Sequence, residues 1–89
     1  MVITCMDARI NVEAALGLKP GEAHILRNAG GSVTEDVLRS AVISTNLMDV
    51  RQIMVINHTE CGMMKSSDHE LRRLFTQQYG KAVVAPNSF

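Results

Sequence analysis

Five side chains in two short segments could form a metal site with a charged pair beside it. Cys5, Asp7 and Arg9 stand at alternate positions directly after a short apolar run. Alternate side chains of an extended segment point the same way, so a thiol, a carboxylate and a guanidinium are expected to face one site. His58 and Cys61 add an imidazole and the second of the chain's two thiols. Two thiolates and one imidazole are typical ligands of zinc with one coordination position left open.

Zinc suits these ligands better than other metals do. Thiolate and imidazole are soft to borderline ligands that favour tetrahedral coordination, whereas calcium and magnesium prefer oxygen. An iron–sulfur cluster normally takes four cysteines, and this chain has two. A closed structural site would need a fourth protein ligand, for which Asp7, His24 and His69 are the candidates. Asp7 is the best placed, because His24 is predicted within a strand and His69 at a helix start.

Two roles are open to Asp7. It can close the metal site as the fourth ligand, or it can accept a hydrogen bond from a water molecule on the metal. Arg9 can decide between these roles, because a bidentate Arg9–Asp7 pair would hold the carboxylate ionised and away from the metal. A plain surface ion pair is the non-functional alternative for the two residues.

Length and composition indicate one small globular domain. The chain has 89 residues, of which 46% are hydrophobic and 20% charged, and we interpret residues 1–89 as a single domain, complete or partial. A core of this size gives marginal stability, so help from a metal or a partner subunit is expected. Nine basic residues balance nine acidic ones and are scattered along the chain, which argues against a nucleic-acid partner.

The sequence indicates a cytoplasmic protein without a membrane partner. No apolar run approaches the ~20 residues that a spanning helix needs. The N-terminus lacks the basic, apolar and small-residue order of a secretory signal. A reducing compartment favours metal binding over a disulfide between Cys5 and Cys61.

Hydrophobic patterns predict strands at residues 2–4, 23–26 and 52–57. The last of these has four consecutive apolar residues, which suits a strand covered on both faces. The paired glycines at 30 and 31 allow tight backbone geometry in the loop after the second strand. A brief apolar run at residues 83–84 could begin a further strand or belong to a frayed tail.

Helical periodicity and capping signals predict helices between these strands. A short helix is predicted within residues 11–18. A longer one would follow a capping box formed by Ser32 and Glu35 and run to about Leu47. Its apolar face would comprise Val37, Leu38, Ala41 and Val42. A last helix would follow a second capping box at residues 67–70 and end before a glycine.

This alternation predicts an α/β fold, a three-layer βαβαβα arrangement around a parallel sheet. Ligands of open parallel sheets bind beyond the carboxyl ends of the strands, where the strand order reverses. A strand order of 2-1-3 would make the first and third strands neighbours. Cys5 and His58, which follow those strands, would then share one crevice.

Three motifs resemble those of the β-class carbonic anhydrases. Cys5-Met6-Asp7-Ala8-Arg9 matches the family's Cys-x-Asp-x-Arg, and His58-Thr59-Glu60-Cys61-Gly62 matches its His-x-x-Cys-Gly. Arg27-Asn28-Ala29-Gly30-Gly31 matches its Arg-Asn-Ala-Gly loop. The resemblance implies a zinc enzyme that interconverts carbon dioxide and bicarbonate by means of a zinc-bound hydroxide.

The resemblance also implies roles for individual residues. The zinc ligands carried over from it are Cys5, His58 and Cys61. Asp7 and Arg9 would form the catalytic dyad, and Gly62 would offer a backbone amide to the substrate. In an inactive resting form of some members, the aspartate at the position of Asp7 binds zinc itself.

The family further implies a homodimer or a higher homo-oligomer, because its active clefts lie at a subunit interface. Its members usually carry helices before the first strand and further strands after the last helix. Here Met1 enters the first strand directly and the sequence stops at Phe89. A zinc-binding but catalytically silent domain is therefore the alternative function, and hydrolysis of carbon disulfide or carbonyl sulfide is a further one.

Overall fold

The computed structural model describes residues 1–64 and 67–79. Its strands are Val2–Cys5 (β1), Ile25–Asn28 (β2) and Met54–Ile56 (β3). Its α-helices are Val12–Leu16 (α1), Glu35–Leu47 (α2) and Asp68–Tyr79 (α3). Short 3-10 turns lie at Ala29–Gly31 and Gly62–Met64. None of the helices in this described part is long and apolar enough to cross a membrane.

The sheet is parallel and has the strand order β2-β1-β3, which confirms the predicted order and the α/β class. In the register, Cys5 pairs with Asn28 on one side of β1, and Thr4 pairs with Ile56 on the other. All residues of β1 are buried, because this strand is flanked on both sides. The carboxyl ends of β1 and β3 therefore lie side by side, as a shared site requires.

The apolar core lies between the sheet and one face of α2. Met1, Ile3 and Val37 form its buried cluster, and Leu26, Ala41 and Val50 pack against it. The predicted inner face of α2 is only partly confirmed, because Leu38 and Val42 are 52% and 58% exposed. The residues of α2 that face inward instead follow the i, i+4, i+7 series of Val37, Ala41 and Ser44.

The bounds of β2 and the start of α2 differ from the predictions. β2 begins at Ile25 and includes Arg27 and Asn28, because these residues pair with Thr4 and Cys5 of β1. The start of α2 is capped by Thr34 rather than Ser32, and the Thr34 side chain accepts a hydrogen bond from the Val37 amide.

The backbone of Ser32 explains the second difference. Its amide donates to Asn28 Oδ1 at 2.9 Å, and its carbonyl accepts from Asn28 Nδ2 at 2.8 Å. Because Asn28 holds both backbone groups of Ser32, this residue stays outside the helix. The predicted end of α2 at Leu47 is confirmed.

The prediction that the third strand is covered on both faces is wrong for the described chain. β3 is three residues long, and it lies at the edge of the sheet. Met54 and Val55 are 52% and 46% exposed. The predicted capping at Ser67 is confirmed, because its hydroxyl accepts from the Glu70 amide at 3.1 Å. The predicted end of α3 at residue 80 and the run at 83–84 lie outside the described residues.

Candidate metal centre

The structure brings together the two thiols and the imidazole that the sequence singles out. Cys5 ends β1, His58 follows β3, and Cys61 precedes the 3-10 turn at Gly62–Met64. One potential ligand atom of each residue lies within 4.8 Å of the other two. The two sulfur atoms are 3.7 Å apart, and Cys5 and Cys61 are only 4% and 5% exposed. Both cysteines are free thiols.

His58 presents one particular nitrogen to this cluster. Its Nδ1 lies 2.9 Å from the Thr59 carbonyl, to which it donates, so the lone pair of the neutral ring is on Nε2. Nε2 is buried and has no hydrogen-bond partner among the described residues. A buried polar atom without a partner is costly, and a metal ion bound to Nε2 would remove that cost. The donor set and this unpartnered nitrogen fit a tetrahedral zinc ion.

The surroundings of Cys5 favour the thiolate that a metal needs. Burial raises the pKa of the Cys5 thiol, but hydrogen bonds outweigh it and lower the pKa to about 7. The backbone of Asp7 contributes most to this lowering. The His58 ring contributes next, when its Nε2 carries a proton, and the backbone of Gly30 after it. Protonation of Nε2 would let His58 donate to the Cys5 sulfur, and this interaction raises the pKa of His58. Each group therefore stabilises the charged form of the other.

Asp7 is held by Arg9. The guanidinium donates from Nε to Oδ1 at 3.0 Å and from Nη2 to Oδ2 at 2.7 Å. The Arg9 backbone amide also donates to Oδ1, at 2.9 Å. These bonds keep the pKa of the Asp7 carboxyl well below its usual range, so the group is ionised. Of the two arrangements open to Asp7, the structure shows the pair with Arg9.

The other two candidate ligands lie away from the cluster. His24 Nδ1 is 2.7 Å from the Ser44 hydroxyl of α2, next to the core. His69 is exposed in the first turn of α3. Neither joins the group of Cys5, His58 and Cys61.

A small cavity of about 220 Å³ opens beside the cluster. Its lining includes Cys5, Met6, Asp7, Ala29, Gly30, Cys61, Gly62 and Met63. Gly62, the predicted substrate-binding residue, therefore lies at this cavity. A larger cavity of about 660 Å³ is lined by residues 1, 21–24 and 48–52 at the amino-terminal ends of the strands, and none of the cluster residues contributes to it.

Two residues of the segment 27–31 contact the site in ways that the sequence did not specify. Gly31 has a φ of +63°, and a Cβ at this position would lie 2.9 Å from the backbone nitrogen of Cys5. Arg27 donates hydrogen bonds to the carbonyls of Cys5 and Asp7. The glycine pair predicted a tight loop, but no sequence pattern indicates which backbone the loop and the arginine approach.

Comparisons with known proteins show the family of the chain. A family model described as carbonic anhydrase matches residues 1–85. The chain thus belongs to the carbonic anhydrase family, and its relatives include β-class enzymes.

Three similar proteins illustrate the range of the family. A carbon disulfide hydrolase of Saccharolobus solfataricus is 50% identical over 74 residues, which cover 83% of this chain and 36% of the relative. Beta-carbonic anhydrase 1 of Mycobacterium tuberculosis is 43% identical over 89 residues, covering 99% of this chain and 55% of the relative. The crystal structure of a carbonic anhydrase from Streptococcus mutans has a TM-score of 0.84 and 42% identity, and the match covers 99% of this chain and 51% of that one. The chain therefore spans about half or less of the length of these proteins.

Proposed function

We propose that this chain is the zinc-binding catalytic part of a β-class carbonic anhydrase domain that interconverts carbon dioxide and bicarbonate. The observation that carries the proposal is the joint position of two features. Cys5, His58 and Cys61 converge at the carboxyl ends of β1 and β3, and an ionised Asp7 is fixed by Arg9 two residues beyond Cys5.

The zinc ligands in this proposal are Cys5 Sγ, His58 Nε2 and Cys61 Sγ. When bound to such ligands, zinc would act as a Lewis acid that makes a water molecule nucleophilic near neutral pH. The Thr59 carbonyl orients the His58 ring through Nδ1, which keeps Nε2 directed at the cluster. Burial of both sulfur atoms keeps competing water away from them.

Asp7 and Arg9 act on the nucleophile in this proposal. The Asp7 carboxylate accepts a hydrogen bond from the attacking water and so orients it toward the substrate. Arg9 keeps that carboxylate ionised and fixes its orientation. The proposed contribution of Gly62 is a backbone amide that hydrogen-bonds an oxygen of the substrate.

The cavity beside the cluster suits a small substrate without charge. Its wall contains alanine and methionine side chains and the backbone of two glycines, next to the thiols and a single carboxylate. Carbon dioxide and carbon disulfide both fit this description. Hydrolysis of carbon disulfide is the second candidate activity, because the relative from Saccharolobus solfataricus that is 50% identical carries that name.

Two further properties belong to the proposal. The working form is a homodimer or a higher homo-oligomer, which is supported by the exposed apolar residues along the β3 edge. The compartment is the cytoplasm, because free cysteines that serve as metal ligands persist in a reducing environment.

The test is stopped-flow assay of the zinc-loaded chain at neutral and alkaline pH. We expect carbon dioxide hydration above the buffer rate, and release of hydrogen sulfide from carbon disulfide would favour the second activity. One zinc per chain with neither reaction at either pH would support the catalytically silent alternative. Absorption spectra of the cobalt-substituted chain would then show no exchangeable water at any pH.

A further inference from the structure

We infer that Arg27 is a positioning residue, which fixes the distance between the Cys5 thiol and the Asp7 carboxylate by binding the backbone at both residues. Its Nε donates to the Cys5 carbonyl at 2.9 Å, and its Nη2 donates to the Asp7 carbonyl at 2.7 Å. One planar guanidinium therefore spans the segment that carries a proposed metal ligand and the proposed acceptor. The inference rests on the proposed function only in the roles of those two residues.

The position of Arg27 follows from the parallel register. Arg27 lies on β2 opposite Thr4, one residue before the end of β1. The ladder between the two strands closes with the Cys5–Asn28 pair and with the Met6 amide, which donates to the Asn28 carbonyl at 2.8 Å. Beyond Met6 the chain leaves the sheet. Through the side chain of Arg27, β2 therefore remains hydrogen-bonded to this segment beyond the last backbone hydrogen bond between the two strands.

The Asp7 carbonyl accepts the hydrogen bond from Arg27 Nη2. It also accepts a hydrogen bond from the Ile10 amide, at 3.1 Å, which closes the turn that contains Arg9. Arg27 thus bonds to the same oxygen that organises the turn of the Asp7–Arg9 pair. Loss of Arg27 would release this turn from β2 without removing any atom that touches metal or substrate.

Arginine is better suited than lysine to this position. Its guanidinium presents several donors in a fixed plane, whereas the lysine ammonium is a compact charge on a flexible stem. Arg27 is also exposed, so the core does not depend on its side chain. A lysine at this position keeps the charge but would bind one carbonyl at a time.

The experiment compares Arg27→Met, Arg27→Lys and the control Arg51→Met. Arg51 is an exposed arginine whose Nε lies 3.4 Å from Asp49 Oδ1. Cobalt(II) is the probe, and its dissociation constant and thiolate absorption are measured with the full chain. We expect R27M to weaken cobalt binding by roughly 10- to 100-fold, the usual effect of removing a group that orients a ligand. We expect R27K to be closer to R27M than to the unchanged chain, and R51M to bind like the unchanged chain.

A second measurement makes the test independent of metal binding. Hydrogen exchange of the Met6, Arg9 and Ile10 amides in the metal-free chain should become several-fold faster in R27M, with the amides of α2 as the internal reference. Failure of the unchanged chain to bind cobalt would contradict the proposed metal site, and the exchange rates would still decide the role of Arg27. Equal exchange in R27M and the unchanged chain, or R27K binding cobalt at full affinity, would overturn the inference.

Discussion

Asp7 and Arg9 stand two residues apart, and the same spacing recurs at Asp49 and Arg51. The first pair has several short hydrogen bonds beside the cysteine cluster, whereas the second is a single 3.4 Å contact between exposed side chains. An exposed pair of the second kind contributes little to stability. The chain therefore contains a matched control for the role of the Asp7 carboxylate.

We predict that Asp7→Asn keeps the metal but loses most of the activity. Asp7 is outside the group whose ligand atoms lie within 4.8 Å of one another, so one zinc per chain should remain. Carbon dioxide hydration should fall by roughly 10- to 100-fold, because the amide replaces one oriented acceptor by a donor. Zinc content and stopped-flow rates give the two readouts. Asp49→Asn should change neither, and a D7N variant that loses its zinc would instead assign Asp7 to the metal.

We predict that Gly31→Ala destabilises the fold more than Gly21→Ala does. An added Cβ at Gly31 would lie 2.9 Å from backbone atoms of both Cys5 and Thr4, whereas nothing lies within 4 Å of the same atom at Gly21. Both glycines have positive φ, so the backbone strain is comparable and the contact with β1 is the difference. The extra cost should be about 1–3 kcal/mol in the free energy of urea-induced unfolding. Equal costs in the two variants would show that the loop can move away from β1.

At the scale of residues, spacing predicted the cluster because side chains with distinctive chemistry carry the signal. Cys5, His58 and Cys61 could be grouped from their types and from the predicted ends of two strands. The hydrogen bonds of Arg27 could not be predicted in this way, because their acceptors are backbone carbonyls and every residue has one. Gly31 gave a partial signal, since its type indicates a tight turn without indicating the strand that lies against it.

The start of α2 shows how one capping pattern can fit two positions. Ser32 and Thr34 are both residues that favour an N-cap, and the carboxylate of Glu35 completed the box only for Ser32. In the structure, Asn28 binds both backbone groups of Ser32, and Thr34 takes the cap. The hydrogen bonds of Asn28, at the end of β2, therefore determine where α2 begins. The capping preferences of Ser32 and Thr34 do not determine it.

We predict that Thr34→Ala lowers stability and that Ser32→Ala does not. The Thr34 hydroxyl accepts from the Val37 amide at a long 3.5 Å, so its loss should cost about 0.5–1 kcal/mol, the lower part of the usual range for caps. Ser32 interacts with Asn28 through its backbone, which alanine keeps, and its change should stay within about 0.5 kcal/mol. Urea unfolding of both variants measures the difference. A larger loss of stability in S32A than in T34A would show that Ser32 caps α2, as the sequence predicted.

For the molecule as a whole, strand order and layer arrangement followed from the alternation of elements, but the surroundings of β3 did not. An uninterrupted apolar strand predicts cover on both faces, and the described chain leaves Met54 and Val55 about half exposed. Sequence can indicate that a strand needs cover, but it does not indicate which chain or segment provides it. The relatives described above are about twice as long as this chain or longer, which is consistent with an incompletely covered sheet.

The exposed edge of β3 leads to a prediction about association. A strand edge with apolar side chains and free backbone groups tends to pair with another chain, and a charge on that strand opposes the pairing. We expect the chain to associate with itself in a concentration-dependent way, and Val55→Lys to shift it toward the monomer in sedimentation velocity experiments. Val55 is 46% exposed, so its lysine variant can direct the charge to solvent without disrupting the core.

Val42→Lys is the matched control, because Val42 is 58% exposed but lies on α2, away from the strand edge. Association through β3 requires that V42K behave like the unchanged chain. Loss of association in V42K with none in V55K would place the contact on the helix surface. A monomer at all concentrations in the unchanged chain would mean that this edge needs no partner chain, and the proposed homo-oligomer would then fail for residues 1–89.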